Sequence, residues 1–230
     1  MRILVVGSGP VGLMFCARLS QSGHDCVLIE RHDFKQTLSR ASTFQPATLE
    51  LLSEFACWPE LLSRGKIVSD VMAWNLDRET QQRSSYDALS AHTRFPYRLH
   101  LHQAVLREQL IAELRASGGC HLVDKADAVA LQFDRSNQGV SVRVNRSGSS
   151  GLSQIFHGDY LILCDGARSV LRDQLGLRFE GYDLPTPVVR LSVPMIPDSL
   201  QGQLAGVSYV IKRGGLECRL LTHRESLRGC

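Results

Sequence analysis

Three short apolar runs recur along the chain, and each ends at a polar residue or a glycine. They occupy residues 2–6, 26–29 and 160–164. Runs this short, rich in branched side chains and without alternation, are typical of strands buried on both faces of a parallel sheet. Between the first two runs, Leu13 and Ala17 belong to an apolar stripe at helical spacing that stops at Ser22-Gly23. The opening of the chain therefore predicts a strand–helix–strand unit.

A different pattern follows in the middle of the chain. Three further strands are predicted over residues 128–133, 140–144 and 154–157, separated by polar turns, and the alternation is clearest where Val140, Val142 and Val144 share one face. This period of two favours an antiparallel β-meander. Helices are predicted over residues 47–55, 59–64 and 103–116. Further strands are predicted over residues 67–74, 81–86, 97–101, 120–123 (returning to the parallel sheet), 207–211 and 217–221.

Composition excludes several functions. The chain has 230 residues, of which 43% are hydrophobic and 21% are charged, a composition that is ordinary for a globular protein. Its net charge of +3 gives no reason to expect nucleic acid binding. The longest N-terminal apolar run is too short for a signal peptide or a membrane span, so we expect a cytoplasmic protein with no membrane partner. The seven cysteines are widely spaced without a metal-ligand pattern, which predicts a reducing compartment and no metal.

A glycine-rich turn follows the first strand and fits the spacing G-x-G-x-x-G. Gly7 allows a tight turn, Gly9 lets the backbone approach a pyrophosphate, and Gly12 lets the helix pack against the strand. Glu30 lies 21 positions after Gly9, close to the spacing at which an acid binds a nucleotide ribose. The candidate nucleotide-binding residues of this unit are Gly7, Gly9, Pro10, Val11, Gly12 and Glu30.

The carboxylate of Glu30 also limits the choice of nucleotide. It would repel a 2′-phosphate, so the site should prefer FAD or NAD over NADP. The opening unit does not decide between FAD and NAD. An ordinary βαβ unit with a glycine-rich turn is the alternative, and it leaves Glu30 unexplained.

Two further stretches lie where the carboxyl ends of parallel strands would bring them together. The polar loop over residues 31–43 carries Arg31 and Arg40, which either face a phosphate or simply face water. Asp165 and Gly166 follow the apolar run 160–164, and a helix is expected to begin near Ser169. An acid at this point can accept hydrogen bonds from hydroxyl groups, while a helix N-terminus favours phosphate.

The order of these motifs resembles the FAD-dependent aromatic hydroxylases, the single-component flavoprotein monooxygenases of the para-hydroxybenzoate hydroxylase type. The resemblance runs from the glycine turn through Glu30-Arg31, Arg40 and Gln103 to the stretch DGARSVLR that begins at Asp165. It implies that the glycine turn and Glu30 hold the ADP half of FAD. It also implies that Arg40 and Gln103 contact FAD, and that Asp165-Gly166 serves FAD and the reductant. Arg168 and Arg172 are weaker candidates.

The resemblance implies both a fold and a reaction. The fold class is α/β: a Rossmann-like FAD-binding domain (residues 1–66 and 95–177) with a β-meander, plus part of an antiparallel substrate-binding sheet (residues 67–94 and 178–230). The reaction would use NAD(P)H and dioxygen to hydroxylate a small aromatic substrate. The cofactor would carry the chemistry, so no side chain is predicted to be catalytic.

The resemblance also implies a longer protein. Family members carry a second flavin motif, Gly-Asp-Ala followed by His and Pro, after the Asp-Gly motif. The Gly158-Asp159 pair precedes Asp165 instead. We therefore expect a chain truncated at its C-terminus, which leaves two hypotheses. The first is a monooxygenase, either completed by a second chain or represented here by a fragment of a longer protein. The second is a remnant that binds FAD or NAD without turnover. A plain NAD-dependent dehydrogenase is disfavoured by the Asp-Gly motif.

Overall fold

The structure of the chain, a computed structural model, describes residues 1–35, 42–134, 139–146, 153–182, 207–213 and 216–221. The chain divides into two compact units. Unit 1 comprises Met1–Leu38 and Leu106–Pro187, and unit 2 comprises Ser39–Val105 and Val188–Cys230.

The described elements follow one another in chain order. The helices are α1 (Pro10–Gln21), α2 (Pro46–Leu52), α3 (Trp58–Arg64), α4 (Gln103–Ser117) and α5 (Val170–Gln174). The strands are β1 (Arg2–Val6), β2 (Asp25–Ile29), β3 (Thr43–Phe44), β4 (Lys66–Val68), β5 (Asp70–Asn75), β6 (Thr80–Ser85), β7 (Arg98–His100), β8 (Cys120–Val123), β9 (Ala126–Asp134), β10 (Gly139–Arg146), β11 (Ser153–Gly158), β12 (Tyr160–Leu163), β13 (Val207–Arg213) and β14 (Leu216–Leu220).

Unit 1 is built on a parallel sheet with the strand order β12-β1-β2-β8. All three strand pairs are parallel. The two central strands are almost fully buried, as their unbroken apolar runs predict. Helix α1 packs on this sheet through Gly12, Leu13, Cys16 and Ala17, which are all buried. The predicted strand–helix–strand unit and the return of residues 120–123 to the parallel sheet are confirmed.

The antiparallel meander of β9, β10 and β11 packs on the same sheet. Val142 and Val144 of β10 are buried in one cluster with Leu4 and Val27. This packing explains the alternation along β10, because the residues of one face enter the core while Ser141 and Arg143 point away from it. The predicted meander and the α/β fold class are confirmed.

Unit 2 contains two sheets. The strand order of the first is β3-β7-β4, and both of its strand pairs are antiparallel. The strand order of the second is β14-β13-β5-β6. The pairs β13–β14 and β5–β6 are antiparallel, but β13 runs parallel to β5. The second sheet is therefore mixed and not antiparallel throughout, because its two hairpins meet with their inner strands in the same direction.

Element ends differ in two places from the sequence expectation. The predicted strand over residues 67–74 is two strands, β4 and β5, with a break at Ser69, whose carbonyl accepts a hydrogen bond from Tyr86 N. The predicted helix over residues 47–55 ends at Leu52, where the Ser53 hydroxyl bonds the Glu50 carbonyl (2.7 Å). Such local side-chain bonds compete with the helix. Within the described residues, no helix combines the length and apolarity that crossing a membrane requires.

Candidate nucleotide-binding site

The glycine turn sits directly against the end of β12. Gly7 has a φ of +102°, a conformation that side chains rarely adopt. A Cβ added to Gly7 would overlap the carbonyl of Cys164 and lie 2.9 Å from Asp165 Cα. The Gly7 amide donates to the Ile29 carbonyl (2.8 Å), which ties the turn to the end of β2 as well. The first glycine is therefore required by both its conformation and its neighbours.

The other two glycines of the turn serve different purposes. A Cβ on Gly12 would overlap the Gly7 carbonyl and lie 3.2 Å from Cys164 Cβ, so Gly12 permits close packing. A Cβ on Gly9 would meet no atom of the described residues within 4 Å. Gly9 has ordinary dihedral angles (φ −64°, ψ 171°) at the N-cap of α1. Its lack of a side chain therefore leaves open space at the helix N-terminus.

That helix N-terminus offers backbone donors. Pro10 occupies its first position, Val11 is 59% exposed, and no described side chain caps it. The first N–H groups of an α-helix have no acceptor within the helix, and the helix dipole favours an anion there. An open, uncapped start next to Gly9 fits a pyrophosphate.

Glu30 closes the other side of the turn. Its side chain is 8% exposed, and its carboxylate accepts hydrogen bonds from Ser8 N at Oε2 and His32 N at Oε1, both at 2.8 Å. Burial opposes ionisation most strongly, but the backbone donors and the Ser8 hydroxyl together outweigh it, so the pKa of Glu30 lies below its ordinary value. Glu30 is therefore ionised, and its carboxylate holds the amides of Ser8 and His32 in place.

Arg107 is a site residue that the sequence does not reveal. It lies on α4, is 9% exposed, and donates from Nε to the Ser8 carbonyl (3.0 Å) and from Nη2 to the Ser8 hydroxyl (2.9 Å). Ser8 is itself fully buried. Glu30 thus holds the Ser8 amide, and Arg107 holds the Ser8 carbonyl and hydroxyl. A helical arginine among charged neighbours gives no sequence signal of such a role.

The second motif lies beside the first. The Cys164 amide donates to the Val6 carbonyl (2.7 Å), which aligns the ends of β12 and β1 and places half-buried Asp165 next to Gly7. Burial and then the Asp165 charge raise the pKa of Cys164, so it is a neutral thiol beneath the turn. Gly166 is exposed and has a φ of +86°.

The helix after this motif begins where the sequence predicts, with Ser169 Oγ accepting a hydrogen bond from Arg172 N (3.0 Å). It has five residues, too few for a strong helix dipole. Arg172 donates to the Ala167 carbonyl (2.9 Å) and lies over the Phe179 ring, so its guanidinium stabilises the loop. Arg168 is exposed.

The described part of unit 1 does not place three other predicted residues in this arrangement. Arg31 is exposed, and its Nε donates to the neighbouring His32 ring (3.0 Å). Gln103 is buried at the start of α4 but belongs to unit 2. Arg40 lies outside the described residues. Unit 1 thus brings together the glycine turn, Glu30 and Asp165-Gly166, with Arg107 added.

Several known proteins are similar to this chain in sequence or in fold. Residues 1–213 match the protein family described as FAD binding domain. Para-nitrophenol 4-monooxygenase of Pseudomonas sp. (strain WBC-3) is 28% identical over 83% of this chain, and dialkyldecalin synthase of Streptomyces rugosporus is 27% identical over 79%. Among solved structures, the flavin-dependent monooxygenase PieE in complex with FAD and substrate has a TM-score of 0.77 and 20% identity over 97% of this chain.

The match covers only part of the length of each relative. It covers 46% of the para-nitrophenol 4-monooxygenase, 35% of the dialkyldecalin synthase and 41% of the PieE chain. The chain thus spans less than half the length of each of these relatives.

Proposed function

Because the chain belongs to the FAD binding domain family, we propose that unit 1 binds the ADP half of FAD and that the chain acts within an FAD-dependent monooxygenase. In this proposal the glycine turn holds the pyrophosphate, Glu30 holds the adenosine ribose, and Asp165-Gly166 faces the middle of the cofactor. When bound, FAD supplies the redox and dioxygen chemistry.

The observation that carries the proposal is the convergence of the two motifs. The glycine turn and Asp165 are far apart in sequence, yet Gly7 packs on the Cys164–Asp165 backbone. The open space at Gly9 and the uncapped start of α1 lie in the same turn. A buried carboxylate and a buried guanidinium both bind Ser8, so contacts within the chain hold the turn in place without a ligand.

The binding test is a titration of FAD fluorescence with the purified chain. We expect quenching that ADP reverses, because the proposed anchors contact the ADP half. We expect adenosine 2′,5′-bisphosphate to compete much less well, because Glu30 would repel its 2′-phosphate. An absence of quenching, or equal competition by the two nucleotides, would contradict the proposed site.

The activity test measures NAD(P)H oxidation and product together. With FAD, NAD(P)H and dioxygen, we propose that a small aromatic substrate is hydroxylated, and para-nitrophenol is the first probe because of the relative named above. Hydroxylated product in amounts equal to NAD(P)H consumed would support the monooxygenase. NAD(P)H consumption without product would contradict hydroxylation of that probe.

A second candidate is FAD binding without oxygen transfer. It is favoured by the partial coverage of the relatives and by one relative that is named a synthase. FAD quenching combined with no NAD(P)H oxidation for any aromatic probe would favour this candidate.

Several finer expectations belong to the same proposal. They are contacts of FAD with Arg31, Arg40 and Gln103, the assignment of residues 1–66 and 95–177 to FAD binding, a cytoplasmic location, and a second chain that completes the enzyme.

The six cysteines of the described residues are all free thiols, which supports a reducing compartment. Size measurement of the protein isolated from its source tests the second chain.

A further inference from the structure

Three cysteines from separate elements of unit 1 form a buried cluster, which we call the cysteine triad: Cys16 of α1, Cys26 of β2 and Cys120 of β8. Their sulfur atoms all lie within 4.8 Å of one another. Cys16 and Cys26 are 0% exposed and Cys120 is 8% exposed. The two strand residues are direct partners in the parallel pairing of β2 with β8, and Cys16 approaches them from the helix above.

The spacing lets all three sulfur atoms reach one shared central atom. With every sulfur–sulfur separation at or below 4.8 Å, a central point lies no more than about 2.8 Å from each sulfur, compared with about 2.3 Å for a zinc–sulfur bond. Small rotations of the side chains would bring three thiolates into bonding distance. In the described part of the chain, no fourth cysteine, histidine or carboxylate joins the group.

The surroundings restrict the charge of any occupant. The triad lies in the core of unit 1, where an unpaired net charge is strongly disfavoured. A divalent ion held by three thiolates leaves a net charge of −1, and zinc also requires a fourth ligand. A trivalent ion held by three thiolates is neutral, and three soft sulfur donors suit a soft element.

We propose that the cysteine triad is a binding site for trivalent arsenic. Arsenous acid, As(OH)3, is uncharged near neutral pH and can reach the core without carrying charge into it. Three As–S bonds form and three As–O bonds break, each thiol proton leaves with one hydroxide as water, and arsenic keeps its oxidation state. Entry requires local opening of unit 1. Gly118 is exposed and lies two residues before Cys120, so opening of this turn would give access to the triad.

The test incubates the full chain with sodium arsenite and a phosphine reductant, removes unbound arsenic, and measures bound arsenic by mass spectrometry and its neighbours by X-ray absorption. We expect one arsenic per chain with three sulfur neighbours. The variant C57A/C164S/C218S/C230S keeps the triad and should bind equally. C16A and C120V each leave two thiols and should weaken binding by at least the roughly 10–100-fold that losing a supporting group costs a metal site.

The wild-type result decides the proposal even where a triad variant does not fold. Less than one arsenic per chain, or fewer than three sulfur neighbours, would show that the three thiols are only small apolar packing residues. Loss of binding in the variant that keeps the triad would place arsenic at the other cysteines. Zinc binding that is tighter than arsenic binding would overturn the charge argument.

Discussion

At the scale of single residues, Ser8 is the point on which the turn depends. Its amide, carbonyl and hydroxyl are all engaged, the amide by Glu30 and the two oxygens by Arg107. A buried backbone carbonyl that loses its donor costs free energy, because water cannot replace the donor there. The turn therefore depends on a residue of α4 as well as on its own glycines.

We expect the substitution Arg107→Met to lower both stability and FAD affinity. It keeps much of the apolar volume but removes both donors to Ser8, so the free energy of unfolding should fall by about 1–3 kcal/mol. Urea denaturation and the FAD titration measure the two effects. Arg115→Met, on an exposed position of the same helix, is the matched control and should change neither. An Arg107→Met variant as stable as wild type would contradict the role given to this arginine.

The pKa of Glu30 leads to a prediction about pH. Because this pKa lies below the ordinary value of 4.5 in the folded chain, ionised Glu30 stabilises the fold at higher pH. This stabilisation is lost as the pH falls below 4.5 and through the folded-state pKa. Near neutral pH, Glu30→Gln should lower the free energy of unfolding by about 1–3 kcal/mol, because its amide NH2 would face a backbone donor.

The measurement compares the unfolding free energies of wild type and Glu30→Gln from pH 7 down to pH 3. The difference should be constant near neutral pH and shrink at the acidic end. A difference that grows as the pH falls would show that the sign of the pKa shift is wrong.

Site residues that stand in a spaced motif could be predicted from the sequence, whereas site residues outside such a motif could not. Gly7, Glu30 and Asp165 follow strands at expected distances, so their proximity could be predicted from the parallel sheet. Arg107 and the cysteine triad depend on which faces of α4, α1, β2 and β8 meet, and side-chain contacts between separate elements leave no spacing in the sequence.

At the scale of elements, α1 can pack closely against the turn that follows β1 because two positions at its start are glycines. Gly12 allows the helix to approach the Gly7 carbonyl, and the N-terminus of α1 begins at the open position of Gly9. Two glycines of one motif therefore have separable roles, one in packing and one in ligand approach.

A pair of alanine variants separates these roles. Gly9→Ala should leave the free energy of unfolding within about 1 kcal/mol of wild type, because its Cβ meets only open space and an alanine N-cap is slightly unfavourable. It should still weaken FAD binding, because the methyl group occupies the proposed pyrophosphate approach. Gly12→Ala should lower the free energy of unfolding and also weaken FAD binding. Urea denaturation and FAD titration of the two variants provide the comparison, and unchanged FAD affinity in Gly9→Ala would contradict the proposed location of the pyrophosphate.

The types of the elements were predictable where the hydrophobic period was clear. The parallel strands of unit 1, helix α4 and the meander were all predicted. A strand buried on both faces gives an unbroken apolar run, a helix buried along one side gives an apolar stripe, and a strand buried on one face gives alternation. The parallel pairing of β13 with β5 was not predicted, because each strand belongs to a separate hairpin and the hydrophobic pattern of a strand does not encode the direction of its partner.

At the scale of the whole molecule, ligand binding should be visible as local protection. The proposed FAD anchors within residues 7–13, Glu30 and residues 164–166 belong to unit 1. At an FAD concentration of about 100 times the dissociation constant, binding adds about 2.7 kcal/mol to the stability of the bound state. Hydrogen exchange should slow in these segments, up to roughly 100-fold where opening requires FAD release. The exposed strand β6 is the internal control. Protection that appears only in unit 2 would contradict the proposed anchors.

The parallel pairing of β5 with β13 has a consequence for synthesis on the ribosome. Residues 70–75 leave the ribosome about 130 residues before the partner strand that begins at Val207, a delay of roughly 7–26 seconds at typical elongation rates. During that time β6 can pair with one edge of β5, while the other edge awaits β13. Among the described strands of the parallel sheet in unit 1, β12 comes last in the chain, and it leaves the ribosome before β13. The second sheet of unit 2 therefore cannot be completed until β13 has been synthesised, long after β5. A chaperone that covers the unpaired edge of β5 would have its greatest effect in that interval.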